Sequence, residues 1–262
     1  MTKARIKDMF ETLNHSDDKA FIAYIMAGDG GLDQLPQQIK TLEDAGVDLI
    51  EIGIPFSDPA ADGPVIQEAG IRALEQDTSL KDILHKLKEI KHDIHVPYVL
   101  MTYYNPVFHY GLERFAIDSA EANVSGVIVP DVPLEEEDEL KHALKNTEIA
   151  IIRLATLTTT DDRLEKIAED AEGFIYAVTV NGITGSKSGY SQEVFDNLKR
   201  IKSKSRVPVC AGFGIASAEA AAALGASCDG VIVGSKIVSY FHNNESEKIK
   251  ALIPRKTAQH AK

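Results

Sequence analysis

The chain has little cysteine, and this absence limits the kinds of site it can carry. Only Cys210 and Cys228 occur among 262 residues, and they do not have a metal-binding spacing such as Cys-x-x-Cys. The eight histidines are scattered without a His-Glu-x-x-His pattern. We therefore expect no metal site. Two thiols in a chain of this length are typical of a reducing compartment, and nothing in the sequence supports a disulfide between them.

Long apolar runs and an excess of positive charge are also missing. No stretch approaches about 18 consecutive apolar residues, and the first 14 residues are charged and amphipathic, unlike a signal peptide. Basic residues number 28 against 40 acidic ones, a net charge of −12, which disfavours nonspecific binding to nucleic acid or anionic membranes. We expect a soluble cytoplasmic protein that binds neither. Binding of a small anionic ligand is still compatible with this negative net charge, because backbone amides can hold phosphate.

Apolar runs alternate with segments of helical periodicity along the whole chain. The runs are Phe21–Met26, Val47–Ile54, Val96–Thr102, Gly126–Pro130, Ala150–Ala155, Gly173–Thr179, Val207–Gly212 and Gly230–Gly234. Continuous runs are typical of parallel strands that are covered on both faces. About eight strand–helix units in roughly 250 residues predict a (β/α)8 barrel with an extra N-terminal helix, and a doubly wound sheet is the alternative. Residues 1–262 are expected to form a single domain, with a frayed tail at about 254–262.

One predicted strand carries an acid where its neighbours are apolar. In Val47–Ile54, alternation puts Glu51 on the same face as Val47 and Leu49, toward an interior. A buried carboxylate is costly unless it is paired, neutralised or used, and the C-terminal ends of barrel strands carry catalytic groups. Glu51 is therefore a candidate acid/base. The alternative is a structural ion pair with Arg153 of the fifth strand.

Further acids lie in the loops beyond the strands. Asp62 follows Glu51 in a turn-rich loop, and the residues alone leave open whether it acts in catalysis or begins the helix predicted from Pro64. Asp58 stands in an Asp-Pro step and is expected to shape the turn. Asp131 ends the fourth strand and is a candidate supporting acid.

Glycine clusters follow the last three predicted strands. They are Asn181–Gly185, Ala211–Gly214 and Val233–Ser235. Helix N-termini attract phosphate, and the loops after strands seven and eight are the usual phosphate site of a barrel. The sequence therefore predicts a phosphate site here, with ordinary turn glycines as the alternative. The loop from Gly182 to Ser191 is a candidate lid over substrate, or else a plain surface loop.

Three tyrosines lie in or at the ends of predicted strands. Tyr103 and Tyr104 end the third strand, and Tyr176 lies in the sixth. Their rings can line a pocket for a flat ligand and their hydroxyls can donate hydrogen bonds. Simple core packing is the alternative for each.

The segment from Leu49 to Gln67 closely resembles the signature of the tryptophan synthase alpha chain family. The likeness continues in order through Met101–Pro106, Pro130–Pro133, Gly182–Gly185, Gly212–Ile215 and Gly234–Ser235, over essentially the whole chain. It implies a (β/α)8 barrel lyase of tryptophan biosynthesis that cleaves indole-3-glycerol phosphate to indole and glyceraldehyde 3-phosphate. It also implies a partner, the pyridoxal-phosphate-bearing beta chain, in an alpha2beta2 heterotetramer. This chain itself would hold no cofactor.

The resemblance also implies roles for individual residues. Glu51 matches the general acid/base, Asp62 the carboxylate that meets the indole N–H, and Tyr176 the tyrosine beside the glutamate. Thr184 matches the loop residue that organises Asp62. The expected substrate and phosphate contacts are Tyr103, Thr184, Gly185, Phe213, Gly214, Gly234 and Ser235.

The implied reaction is physically sensible for these residues. Cleavage needs a proton at indole C3 and loss of a proton from the glycerol C3′ hydroxyl. A buried Glu51 is favoured in its neutral form, which can give the first proton, and an ionised Asp62 would stabilise positive charge on the indole nitrogen. Two alternatives stay open: a phosphosugar isomerase or epimerase on the same barrel, and a noncatalytic regulatory subunit that only activates a partner.

Overall fold

The strands form one parallel sheet that curves into a nearly closed barrel. The computed structural model describes residues 2–179, 190–212 and 214–254. The strands in these ranges are β1 (Ala20–Met26), β2 (Leu49–Gly53), β3 (Tyr98–Met101), β4 (Gly126–Ile128), β5 (Ala150–Ile151), β6 (Arg153–Thr156), β7 (Ile175–Val178), β8 (Val209–Gly212) and β9 (Gly230–Val233). Their order in the sheet is β5-β4-β3-β2-β1-β9-β8-β7-β6.

The barrel closes where a single strand was expected. The predicted strand Ala150–Ala155 is divided at Ile152 into β5, which pairs with β4, and β6, which pairs with β7. The Ile152 N–H donates to the Val127 carbonyl at 2.9 Å, so the chain crosses from one neighbour to the other within a few residues. The two outer strands of the sheet are thus consecutive in the chain. This closure confirms the predicted barrel and rules out the doubly wound sheet, whose edges lie far apart.

Helices cover the outside of the barrel. They are α1 (Thr2–His15), α2 (Leu35–Ala45), α3 (Pro64–Leu74), α4 (Leu80–Ile90), α5 (Tyr104–Tyr110), α6 (Leu112–Glu121), α7 (Asp138–Leu144), α8 (Asp161–Glu169), α9 (Gln192–Lys204), α10 (Ala218–Gly225) and α11 (Ser235–His242). The expected extra helix is α1, and it closes the N-terminal end of the barrel. Its Phe10 packs on Phe174, just before β7, with ring centroids 6.2 Å apart. The candidate functional site lies at the opposite end of the barrel, where the strands finish.

Alternation along the strands separates two apolar cores. In β2, Ile50 and Ile52 belong to the layer between strands and helices, whereas Leu49 belongs to the barrel interior. Glu51 follows the same alternation and faces the interior. Val47, which was expected on this inner face, lies in the outer layer, because the strand begins only at Leu49.

The remaining expectations concern the cysteines, membrane helices, the domain and the tail. Cys210 and Cys228 are both buried free thiols. In the described ranges, no helix is long and apolar enough to cross a membrane. The single domain over residues 1–262 stays a prediction, and the tail beyond Pro254 lies outside the described residues, as does most of the candidate lid, residues 182–189.

Candidate active site

Glu51 lies inside the barrel near the C-terminal end of β2, and no described group pairs with its carboxyl. The residue is 1% exposed, and neither carboxyl oxygen has a hydrogen-bond partner among the described residues. Burial, and to a lesser extent the nearby Asp62 carboxylate, raises the pKa of Glu51 to about 8. Glu51 is therefore mostly protonated at neutral pH, as a general acid must be.

The alternative of an ion pair between Glu51 and Arg153 is wrong. The Arg153 guanidinium lies in the outer layer and grips Glu137, with Nε 3.1 Å from Oε2 and Nη2 2.5 Å from Oε1. Lys141 adds a second cation, with its Nζ 2.7 Å from Oε1 of Glu137. Arg153 is thus fully engaged on the far side of the strand from Glu51.

Asp62 is half-buried at the mouth of the barrel and is not a helix cap. The cap position of α3 belongs to Gly63, and no side chain caps that helix. The Asp62 Oδ2 instead accepts a hydrogen bond from the Tyr103 hydroxyl at 3.1 Å, and the same hydroxyl accepts from the Ala61 N–H at 2.9 Å. Burial raises the pKa of Asp62 to about 6, although the hydrogen bond from Tyr103 opposes the rise. Asp62 is therefore mostly ionised at neutral pH.

Two tyrosines line the cavity together with Glu51, and each side chain approaches a glycine of the next strand closely. Tyr24 is directly opposite Glu51 in the β1–β2 register. A Cβ on Gly53 would lie 2.0 Å from the Tyr24 hydroxyl oxygen, and a Cβ on Gly212 would lie 2.4 Å from the ring of Tyr176. Both glycines are therefore needed for close approach. Burial, the largest cause, raises the pKa of both tyrosine hydroxyls well above the usual value, so both stay protonated.

These side chains open into one cavity of about 680 Å³ at the C-terminal end of the barrel. Glu51, Asp62 and Tyr176 line one part of it, and Gly214, Gly234 and Ser235 line another: the predicted catalytic and phosphate groups share the space. Gly214 has a φ of +77°, a left-handed conformation that favours glycine.

The phosphate side of the cavity is built around the start of a helix. Gly234 occupies the cap position of α11, which has no side-chain cap, and the first N–H groups of a helix lack intrahelical partners. The neighbouring helix α10 differs, because the Ser217 hydroxyl accepts from the Ala220 N–H and caps it. The amides at the start of α11 are thus available to an anion.

Some predicted site residues lie elsewhere. Tyr103 is buried and contacts Asp62 but does not line the cavity. Tyr104, which was a candidate pocket residue, points its hydroxyl at Glu139, 2.8 Å away. Asp131 accepts the Tyr104 N–H at 2.9 Å and so caps α5, outside the cavity.

Four further residues of the sequence analysis are not among the described residues that line the cavity. Thr184, Gly185 and Phe213 lie outside the described residues. Asp58 is exposed, takes a hydrogen bond from the Ser57 hydroxyl at 2.5 Å, and its carbonyl accepts from the Ala60 N–H at 2.9 Å within the turn.

Tyr24 and Lys236 are among the residues of the cavity wall that the sequence did not predict. Tyr24 sits in an apolar run, where an aromatic residue suggests core. The available signal was its alternation with Ile22 and Met26, which puts it on the inner face beside Glu51. Lys236 follows the predicted phosphate residue Ser235 directly, and that adjacency was its signal.

Comparison with known proteins extends along nearly the whole chain. The family model described as tryptophan synthase alpha chain matches residues 10–262. The chain belongs to the tryptophan synthase alpha chain family. A tryptophan synthase alpha chain of Oceanobacillus iheyensis is 49% identical over 253 residues, 97% of each chain. One from Bacillus cereus is 46% identical and covers 95% of each chain.

Solved structures agree with this membership. The crystal structure of tryptophan synthase subunit alpha from Legionella pneumophila superposes with a TM-score of 0.86 at 33% identity, over 95% of each chain. A chain of tryptophan synthase from Mycobacterium tuberculosis superposes with a TM-score of 0.85 at 31% identity, again over 95% of each chain. Both likenesses confirm the barrel fold.

Membership in the family confirms the predicted reaction class and partner. The family consists of carbon–carbon lyases that cleave indole-3-glycerol phosphate in tryptophan biosynthesis, as alpha subunits that work with a beta chain. Pyridoxal phosphate belongs to that beta chain. The comparisons favour the lyase over the isomerase, epimerase and purely regulatory alternatives.

Proposed function

We propose that this chain cleaves indole-3-glycerol phosphate inside the 680 Å³ cavity, with Glu51 as the general acid/base. The observation that carries this proposal is a carboxyl group 1% exposed, without a hydrogen-bond partner among the described residues, that lines the cavity. A fold does not maintain such a group for stability, because burying an unpaired acid is costly. A pKa of about 8 suits a group that must donate a proton near neutral pH.

Proton transfer through Glu51 accounts for both ends of the bond cleavage. The neutral carboxyl gives its proton to indole C3, and the resulting carboxylate takes the proton of the C3′ hydroxyl as the bond from C3 to C3′ breaks. Indole and the aldehyde of glyceraldehyde 3-phosphate are the products, and Glu51 returns to its neutral form. No net proton or electron enters or leaves.

Asp62 serves the other end of the indole. Protonation of C3 places positive charge on the ring nitrogen, and an ionised carboxylate beside the N–H stabilises it. Tyr103 supports this role, since its hydrogen bond favours the ionised form of Asp62. Burial, and to a lesser extent the Asp62 carboxylate, raises the pKa of Glu51, so Glu51 stays neutral while Asp62 is charged.

Tyr24 and Tyr176 form the walls that keep Glu51 dry. Both tyrosines line the cavity with Glu51, and desolvation is the largest cause of the raised pKa of Glu51. A flat indole ring fits a pocket lined by aromatic faces.

The backbone around Gly214, Gly234 and Ser235 binds the phosphate of the substrate. Thr184, Gly185 and Phe213 are proposed as further contacts on the strength of the family resemblance. Remote binding energy from the phosphate orients the scissile bond over Glu51.

The chain acts as a single-domain alpha subunit in an alpha2beta2 heterotetramer in the cytoplasm. The chemistry supports a subunit without a cofactor of its own, because cleavage requires only proton transfers that carboxylates supply. Indole then passes to the beta chain, which carries the pyridoxal phosphate.

Cleavage of indole-3-glycerol phosphate by the purified chain, with and without a beta chain, tests this function. Glyceraldehyde 3-phosphate is followed through a coupled dehydrogenase. We expect Glu51→Gln to lower kcat by about a thousandfold, within the range for a general acid, and the exposed Glu247→Gln to leave it unchanged.

Activation of the beta chain supplies the second readout. Glu51→Gln should still activate a beta chain, which would show that the variant is folded. A wild-type chain that activates the beta chain without cleaving substrate would identify a regulatory subunit and overturn the proposal. Retention of most activity by Glu51→Gln would remove Glu51 from the mechanism.

A further inference from the structure

The proposed substrate poses an electrostatic problem for this protein. A phosphate monoester carries close to two negative charges at neutral pH, the chain has a net charge of −12, and the cavity holds Glu51 and Asp62. Backbone amides supply only partial positive charge. Among the described residues that line the cavity, a single basic side chain is present: that of Lys236.

The positive charge of Lys236 is not neutralised by the protein. No described acidic residue lies within ion-pair distance of Lys236, and the residues outside the described ranges include no Asp or Glu. Other lysines have acidic partners: the Lys248 Nζ lies 2.5 Å from Oε1 of Glu245, and the Lys202 Nζ lies 2.8 Å from Oδ1 of Asp229. Lys236 is thus a half-buried cation without a counter-ion among the described residues.

An aromatic ring holds the Lys236 ammonium in place. The Nζ lies 4.9 Å from the centroid of the Tyr240 ring, one helical turn further along α11. A cation–π contact attracts an ammonium group without cancelling its charge. The contact therefore positions Lys236 and leaves its charge available to an anion.

Lys236 also lies at the right end of the cavity. It is the second residue of α11, directly after the Gly234 cap and Ser235, and all three residues line the same cavity. The buried Glu51, with both carboxyl oxygens unpartnered among the described residues, lines the same cavity and marks it as a ligand site.

We propose that Lys236 is a substrate-binding residue that forms an ion pair with the phosphate group of the substrate. This inference rests on the proposed function for the identity of that phosphate ester. The ammonium would share the dianion with the amides at the start of α11, which combines a full charge with the helix dipole. Lys236 thereby sets the affinity for phosphorylated ligands and leaves the chemistry at Glu51 unaffected.

Kinetics of Lys236→Gln against a matched control test the proposal. Lys7→Gln makes the same change in net charge at an exposed position on α1, beyond the opposite end of the barrel. We expect Lys236→Gln to raise KM for indole-3-glycerol phosphate by about fivefold, the scale of a partly exposed ion pair, with kcat within about twofold. Lys236→Arg should restore most of the affinity, and Lys7→Gln should match the wild type.

Ligand binding without turnover separates this inference from the proposed function. Calorimetric titration with glycerol 3-phosphate should show about fivefold weaker binding to Lys236→Gln, and titration with indole should show no change. Equal affinity of the wild type and Lys236→Gln for glycerol 3-phosphate would overturn the role of Lys236, whether or not the wild type cleaves substrate. Absence of cleavage by a wild type that still binds glycerol 3-phosphate through Lys236 would instead overturn the proposed function alone.

Discussion

Two buried glutamates in this barrel have opposite surroundings: one is paired with cations and the other is not. Glu137, in the outer layer, is 4% exposed and receives the Arg153 guanidinium through two hydrogen bonds, with Lys141 as a second cation. Glu51, in the barrel interior, is 1% exposed and has no partner among the described residues. The protein neutralises the first charge by pairing and the second by protonation.

The difference follows from what each layer encloses. In the outer layer, between strands and helices, the buried carboxylate of Glu137 is paired with two cations, as a buried charge must be to be tolerated. The interior opens at the C-terminal end into a cavity, where an unpaired acid can meet a ligand. A buried acid without a partner is therefore the stronger indicator of function.

Removing the Glu137 carboxylate from its ion pair with Arg153 should destabilise the protein more than removing the Glu51 carboxyl. Glu137→Gln leaves the Arg153 charge buried without its carboxylate, and we expect the free energy of unfolding to fall by about 3–5 kcal/mol. Urea denaturation followed by circular dichroism measures this. The matched variant Glu51→Gln should lose no stability at pH 7, and an equal loss in both variants would mean that the two acids are not treated differently.

The pH dependence of stability should also separate the two glutamates. The folded-state pKa of Glu51 is raised to about 8, above its usual value near 4.5. Its stabilising contribution is therefore complete below about pH 4.5 and is lost as the pH rises through about 8. Relative to Glu51→Gln, the wild type should lose roughly 4 kcal/mol of unfolding free energy between pH 5 and pH 9. Parallel curves for the two proteins would place the pKa of Glu51 near its usual value.

The wall around Glu51 can be displaced without touching an acid. In Gly53→Ala the new methyl group would collide with the Tyr24 hydroxyl, and we expect kcat/KM to fall about tenfold with a loss of about 1–3 kcal/mol in stability. Gly70→Ala is the control, because its methyl group would meet only the Met26 Cε, at 3.6 Å. Equal activities of the two variants would show that Tyr24 does not need its position over Gly53.

The smallest expected effect concerns the hydrogen bond to Asp62. Tyr103→Phe removes a bond that lowers the pKa of Asp62, so this pKa should rise above about 6. Activity needs ionised Asp62 and neutral Glu51, and it should therefore fall below about pH 6 and above about pH 8. In Tyr103→Phe the acidic limb of the kcat/KM profile should move to higher pH by less than about one unit. An unmoved limb would assign it to another group.

Much of the barrel could be predicted because its strands are apolar runs in a chain with ordinary composition. Parallel strands covered on both faces differ strongly from the periodic helices between them. The division of Ala150–Ala155 at Ile152 could not be predicted, since the run is continuous and the break depends on which strands lie on either side.

The acids of the site and the wall residue Tyr176 could be predicted, whereas the wall residue Tyr24 and the lysine Lys236 could not. Glu51 stands out as a charge in an apolar strand, and Asp62 follows in a loop at the same end. Tyr24 resembles core, and its role depends on the missing Cβ of Gly53 on a neighbouring strand. Lys236 resembles a surface lysine until the cavity and the absence of a described acidic neighbour are known.

The protonation state of Glu51 is the most direct test of this account. Infrared difference spectra of wild type against Glu51→Gln, recorded from pH 5 to pH 9, isolate the carbonyl stretch of its protonated carboxyl. We expect that band to persist through neutral pH and to disappear with a midpoint near the raised pKa of about 8. A band already lost at pH 6, as the usual glutamate pKa of about 4.5 requires, would contradict the claim that the barrel holds Glu51 as a neutral acid.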